Sequence, residues 1–321
     1  MVSKMAKKTI NLQMFADGEN NNSNIRVYGK QFREWLKVVF ETQAHFRDFF
    51  AGDIETVDGI SENATAFSVK TSDIAPAIAV GTVDANGAYT GGYSTDANTA
   101  FGTGTAKTSR FGNRTEVIYQ NTDVPYSFNW TIHEGLDRHT VNNDLDAAVD
   151  ERLELNAQAK ILEFNKQYGK YISTVAKKSE TLSAMTVDGV TALFNAMSKY
   201  FVNIRAVGTK VAKVTPDIWN LIIDNGLATS AKGSTVNIDR NEVQMFKGFV
   251  LEQYPEDEFQ DGEVGYFYVQ NIGKAFVGIN TMRTIESEDF DGVALQGAGK
   301  GGQFCPVDNQ KAVAKATFTG A

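Results

Sequence analysis

"LDAAVDERLELNAQAKILEFNKQYGKYISTV" runs from Leu145 to Val175, and its reading decides the fold. Leu145, Val149, Leu153, Ala157, Ile161, Phe164, Tyr168, Ile172 and Val175 recur every three or four residues, so one helix of about 45–50 Å carries a single apolar stripe. Asp144, Asp146, Asp150, Glu151 and Glu154 crowd its start, and Lys160, Lys166, Lys170, Lys177 and Lys178 dominate the later half, as the helix dipole favours. Asn142 or Asn143 is placed to cap it. A striped helix of this length needs an extended body to lie on, and the flanking sequence supplies one.

Downstream the texture is mixed α/β. A helix is predicted at Val187 to Phe201, a strand at Lys210 to Val214, and a short helix from Pro216 with proline in its first turn. "ATSAKGSTVNIDRN" (Ala228 to Asn241) reads as a surface loop. Strands are predicted at Gly248 to Gln253, Gly265 to Val269, Ala275 to Ile279, Met282 to Glu286 and Ala312 to Phe318. "PEDEFQDGE" (Pro255 to Glu263) lacks the spacing of a calcium loop and reads as a solvated hairpin tip.

Upstream, "RTEVIYQNTDVPYSFNWTI" (Arg114 to Ile132) predicts one or two strands and "TAFSVKTSD" (Thr65 to Asp73) another. About forty intervening residues are rich in Gly, Ala, Thr and Ser and cannot build a core of their own; they read as a long hairpin-like excursion that becomes ordered against a neighbour. Phe32, Trp35, Leu36, Val39, Phe40, Phe46, Phe49 and Phe50 give Lys30 to Phe50 an aromatic helical face, the reading being a core-facing helix. "DGENNNSN" (Asp17 to Asn24) is a polar connector that tethers "TINLQMFA" (Thr9 to Ala16). Asn11 and Gln13 break that octapeptide's apolar run, so it is no secretory signal, and no stretch nears the roughly 20 apolar residues of a spanning helix. Met5 offers a second start.

Composition narrows the class. The 321 residues are 42% hydrophobic, enough to fill a real core. A net charge of -8 argues against gripping nucleic acid over a basic face. Cys305 is the sole cysteine, which suits a reducing compartment. Many of the 28 glycines crowd into 81–112 and 292–302.

No chemistry stands out. The three histidines are His45, His133 and His139; "TIHEGLD" is half of a zinc-protease motif, but its second histidine falls off the helical face, so a polar or structural role is expected. "GTGTAKTS" (Gly102 to Ser109) lacks the glycine before the lysine that a phosphate loop requires. "GAGKGG" (Gly297 to Gly302) leads into Pro306, which disfavours a dinucleotide-binding helix, and reads as a tight glycine loop between sheet segments. No G-x-S-x-G nucleophile elbow occurs. The chain reads as no enzyme, with no catalytic residue, metal ligand or cofactor site.

A tethered arm, a core-less excursion, one very long helix and a mixed α/β remainder resemble the major capsid protein of tailed bacteriophages, with its Hong Kong 97-type α+β fold. "INLQMFA" closely resembles the "INLQLFA"-like start in capsid proteins of phages of Gram-positive hosts, Met14 being the departure. "DVPYSFNWTIHEGLDRHTVNNDL" (Asp123 to Leu145) resembles the segment joining extended loop to spine helix, and "KGFVLEQYPEDEF" (Lys247 to Phe259) the late strand and turn of the axial domain. The resemblance implies an N-terminal arm at 1–29, a helix leading into the loop at 30–54, an extended loop at 55–125, a peripheral domain from 126–181 and 286–321 with its spine helix near 142–178, and an axial domain at 182–285.

It further implies assembly into hexamers and pentamers of an icosahedral shell around double-stranded DNA. That DNA would be held without sequence-specific binding, in a virion assembled in the host cytoplasm and without a membrane. Portal, scaffolding protein, head maturation protease and decoration protein are the implied partners. No fused scaffolding segment precedes the arm, so scaffold is expected to come separately, to have been cut away, or not to be used. Lys70, Lys107 and Asn309 are residue types available for an isopeptide weld, although nothing in their flanks demands one. The rival readings are an encapsulin-like compartment, a β-rich adhesin and an enzyme of unknown type.

Overall fold

The computed structural model describes residues 45–52, 55–56, 65–72, 78, 80–87, 89–90, 116–141, 145–225, 235–237 and 242–318. The arm, residues 30–44 of the expected helix, Gly102 to Ser109, Asn142 and Asn143, and most of the excursion and of 228–241 lie outside them. In chain order the strands are β1 (Glu55–Thr56), β2 (Thr65–Ser72), β3 (Thr82–Val83), β4 (Tyr89–Thr90), β5 (Tyr119–Pro125), β6 (Phe128–Asp137), β7 (Lys178–Thr181), β8 (Lys210–Val214), β9 (Thr235–Asn237), β10 (Glu242–Phe246), β11 (Phe249–Gln253), β12 (Glu263–Val269), β13 (Lys274–Glu286), β14 (Gly292–Phe304) and β15 (Val313–Thr317). The helices are α1 (Leu145–Val175), α2 (Val187–Asn203), α3 (Pro216–Asp224) and α4 (Val307–Gln310).

The chain divides into residues 63–125 and a larger unit formed by the rest. In the larger unit seven strands lie in the order β7-β15-β12-β8-β11-β10-β9. β12 runs antiparallel to β8 and β15, and every one of its seven residues is buried. Its alternating side chains serve two cores, as expected of a strand covered on both faces. Phe267 and Val269 pack with Val190, Phe194, Met197 and Phe201 of α2 and Ile218 and Ile222 of α3. Tyr266 and Tyr268 point the other way, onto Phe164, Tyr168 and Ile172 of α1 and onto Phe46, Phe49 and Phe50.

A second sheet has the order β1-β13-β14-β6, with β13 and β14 pairing from Lys274↔Phe304 to Glu286↔Val293. Helix α1 is common to both sheets. Its first half meets β6 through the Arg152–Glu134 ion pair; in its second half Phe164 lies against the Phe128 ring of β6, and Tyr168 and Ile172 close the tyrosine side of the seven-stranded sheet. The helix bounds match the apolar stripe, but burial along it is uneven. Leu145, Val149, Leu153 and Ile161 are half-buried, Ala157 is exposed, and full burial begins at Phe164.

Several expectations are corrected. "GAGKGG" is no loop: Gly297, Gly299 and Gly301 sit inside the 13-residue β14, opposite Ile132, Trp130 and Phe128 of β6. Pro255 to Glu263 is no hairpin tip, because β8 lies between β11 and β12; the segment contains a 3-10 turn at Glu256–Glu258 whose Glu258 is buried. The two strands predicted at 275–279 and 282–286 form one strand with a local irregularity between Val277 and Asn280. Residues 45–50 do not form the α-helix expected of them. Phe46 is left-handed (φ 55°) and opens a 3-10 turn, Arg47–Phe49, which turns Phe46, Phe49 and Phe50 all into the core. The 228–241 loop contains β9. The strand near 312–318, expected to build the peripheral domain together with the long helix, is β15, which pairs with β12 and β7 while its Val313 packs with Ile172 of α1.

Residues 63–125 carry two short ladders. β2 pairs antiparallel with β5 from Thr65↔Pro125 to Ser72↔Tyr119, and β3 pairs with β4 across a turn at 84–87. Thr71 and Thr122 hydroxyls meet at 3.1 Å, and the Ser68 hydroxyl donates to Asp123.

Candidate functional site

Two kinds of place carry polar or apolar groups in unusual settings: buried ionic clusters that fix the frame, and surfaces left without a covering.

Three clusters tie α1 and the 45–50 segment to the sheet. The His45 Nδ1 lies 2.7 and 2.8 Å from the two Glu258 oxygens, its backbone N–H donates to Asn165 Oδ1 at 3.0 Å, and Asn165 Nδ2 donates to Glu258 Oε1 at 3.0 Å. The His45 ring stacks on Tyr254 with centroids 4.0 Å apart. On β8, Lys213 is 1% exposed, and its Nζ meets Asp48 Oδ2 at 3.1 Å, the Tyr254 hydroxyl at 2.8 Å, and Glu252. Burial alone would raise the Glu252 carboxyl; the Lys213 ammonium overcomes that and holds it below the usual value. On β15, Lys315 Nζ donates to Glu263 Oε1 at 2.7 Å and to Ser173 at 3.0 Å, and the Tyr266 hydroxyl donates to Glu263 Oε2 at 2.7 Å. Buried charges without such partners would cost several kcal/mol each, so these bonds specify how α1 seats.

Under the first half of α1 the close approach is aromatic ring on glycine. A Cβ on Gly299 would fall 2.5 Å from Trp130 ring atoms, and one on Gly301 would fall 2.4 Å from Phe128 Cζ. Lys160 Nζ covers the Trp130 ring at 4.1 Å from its centroid. Burial lowers the Lys160 pKa.

The residue types weighed for catalysis are scattered. His133 is on strand β6, not a helix, and its nearest polar partner is Gln296 at 3.4 Å. His139 is exposed 3.6 Å from Asp291, and the Cys305 thiol is buried and pushed up to about 12. Among the described residues no three His, Cys, Asp or Glu side chains converge as a metal site would need, and no helix is long and apolar enough to cross a membrane. A cavity of about 470 Å³ is lined by Arg47, Asp48, Lys213, Glu252, Tyr254 and Asn271. Its lysine and its two carboxylates are bound to one another. Asn309 sits in α4, its Nδ2 donating to the Ile272 carbonyl at 3.2 Å, and Lys70 is on β2.

Exposed large apolar side chains gather in 63–125: Ile78 at 89%, Val80 at 83%, Tyr119 at 67%, Val83, Ile118 and Val117. A two-stranded ribbon is at best marginal alone in water. Sequence reading singled out this segment for lacking a core; it did not foresee the ionic clusters, because residues as far apart as Asp48, Lys213 and Glu252 meet only through the fold.

No protein-family model matches the chain, and no curated protein is similar to it. Among solved structures it is similar to a chain from Mycobacterium phage Che8, with a TM-score of 0.61 at 14% identity, covering 86% of this chain and 92% of that one. It is similar to a chain of the bacteriophage PhiM1 mature capsid, with a TM-score of 0.56 at 10% identity over 88% and 89%. The capsid of Cyanophage P-SCSP1u gives 0.53 at 11% over 89% and 95%. The likeness is one of fold: an α+β architecture of the capsid class. More particularly, it is the Hong Kong 97-type fold.

Proposed function

We propose that this chain is the major capsid protein of a tailed bacteriophage, a shell subunit of the virion. The observation that carries this reading is the capsid fold itself, shared over most of the chain with the Che8, PhiM1 and Cyanophage P-SCSP1u structures. The exposed apolar side chains of 63–125 support it, since a ribbon that cannot bury them alone gains from lying on another subunit.

Many copies would form hexamers and pentamers of a closed shell, each weak contact strengthened by the others. α1 with the β1-β13-β14-β6 sheet serves as the peripheral domain, and the seven-stranded sheet with α2 and α3 as the axial domain. Residues 63–125 serve as the extended loop and 1–29 as the arm. The shell encloses double-stranded DNA without reading its sequence, consistent with a net charge of -8. Portal, scaffolding protein, maturation protease and decoration protein are the partners such a shell would meet, and a Gram-positive host matches the arm motif.

The test is to purify particles after expression with the neighbouring head genes and analyse their contents. Nuclease-protected DNA fits the proposal. Particles filled with a protein cargo would reassign the chain to a compartment shell, and failure to form any particle would overturn it.

A further inference from the structure

Besides the stripe that meets β6, α1 carries a second seam. Ala148, Leu155, Leu162 and Gly169 follow one another at seven-residue intervals and so share one face of the helix. At its C-terminal end this face is covered: a Cβ on Gly169 would lie 2.3 Å from the Glu258 carbonyl oxygen and 3.6 Å from Phe46 Cε2. Further towards the N-terminus Leu162 is 44% exposed, Ala159 beside it is exposed, and Ala148 and Leu155 are half-buried. The chain reaches this place from residues 30–44, which lie outside the described residues. Its first described residue, His45, is already held on α1, the backbone N–H donating to Asn165 Oδ1 at 3.0 Å.

We infer that the seam is the seat of residues 30–44 of the same chain, laid along α1 as a parallel helix. Register carries the inference. Counting back from Phe46 in sevens gives Val39 and then Phe32, so Phe46, Val39 and Phe32 match Gly169, Leu162 and Leu155 in turn. A seven-residue apolar repeat on both partners is the pattern of paired helices. Length agrees: residues 30–44 as a helix span about 22 Å, and Ala148 to Leu162 spans about 21 Å. Charge agrees as well. Lys30 and Arg33, at the start of the segment, come beside Glu151 and Glu154, whereas the reverse direction would carry them towards Lys166 and Lys170. Residues 1–29 then leave the frame at the N-terminal end of α1, whether or not the chain builds a shell.

The test is disulfide trapping in the full, unassembled chain. Cys305 is 2% exposed and can stay. A disulfide needs Cα atoms about 4.4–6.8 Å apart, which facing positions of paired helices meet. Val39→Cys with Leu162→Cys, and Phe32→Cys with Leu155→Cys, should each close within one chain on oxidation. Phe32→Cys with Leu162→Cys, out of register by about 10 Å, should stay reduced. Val69→Cys with Thr122→Cys, opposed on β2 and β5, shows that the oxidation joins neighbours. If that control closes and neither matched pair does, or if the matched pairs link only two separate chains, the seat is not residues 30–44 of the same chain and the inference falls. Trypsin gives a second reading without cysteines: cleavage after Arg33 and Lys37 should be about tenfold or more slower than after Arg26, and Leu155→Arg with Leu162→Arg should abolish the difference. Equal rates in the wild-type chain overturn the inference. Neither reading involves particles, so the shell proposal stands or falls separately.

Discussion

Gly299→Ala is the sharpest test of how β14 is built. In an ordinary strand, replacing glycine by alanine stabilises by roughly 0.5–1 kcal/mol because less backbone entropy is lost on folding. Here the new Cβ falls 2.5 Å from Trp130 Cε2 and Nε1 and 2.6 Å from its Cζ2, a separation that side-chain carbons do not tolerate. Trp130 cannot simply lift, since Lys160 lies over its ring at 4.1 Å. Overpacking of this kind costs about 1–3 kcal/mol. The net expectation is a loss of about 1–2 kcal/mol, or roughly 3–6 °C in Tm for a unit of this size. Thermal and urea unfolding of unassembled chain, followed by circular dichroism, gives the number. Trp130→Leu provides the control: in that background Gly299→Ala should become neutral or stabilising, a coupling of about 1 kcal/mol or more. If Gly299→Ala stabilises the wild-type chain, the ring-on-glycine packing is wrong.

Lys213→Met keeps most of the side-chain volume but leaves Asp48 and Glu252 without their ammonium. Both carboxylates are partly solvent-exposed, so the loss should fall below that of a fully buried pair, at about 2 kcal/mol by urea unfolding, and Glu252→Gln in the same chain should recover part of it. The Glu252 and Glu134 carboxyls are held below their ordinary value of 4.5, by Lys213 against the opposing effect of burial and by the Arg152 hydrogen bond respectively. Depressed folded values mean that this stability is present above pH 4.5 and is lost as pH falls through the folded values; Tm measured from pH 3 to 7 should drop at the acid end, less steeply in Lys213→Met. Tyr168, raised by burial to about 12, has the opposite sign: its contribution is present below pH 10 and is lost as pH climbs towards 12, read as alkaline unfolding. Ile118→Ser with Tyr119→Ser should change Tm by no more than the shift from about 0.5 kcal/mol while cutting particle yield at least tenfold by sedimentation.

Local signals carried much of the architecture. The α1 stripe, its charge order, the proline opening α3 and the uninterrupted apolar run of β12 each act through neighbours in sequence, and each element formed where its pattern lies. β14 was illegible because its information sits in another strand: Gly297, Gly299 and Gly301 look like turn residues until Trp130 and Phe128 of β6 are laid across them. Residues 45–50 depart from the expected helix for a similar reason, tertiary burial of three rings outweighing a left-handed backbone at Phe46 of roughly 1–2 kcal/mol. Glu258 and Glu263 read as solvated acids because their partners, His45 with Asn165 and Ser173 with Lys315, lie on distant elements. The surfaces of 63–125 were readable in advance, since lack of a core is a property of composition alone.

The measurement that bears most directly on the central claim is electron microscopy of the purified chain, alone and with its scaffold, at rising concentration. Closed shells, tubes, or capsomer rings of five and six are the predicted result. A chain that stays a featureless monomer at high concentration, with scaffold present, would contradict the account.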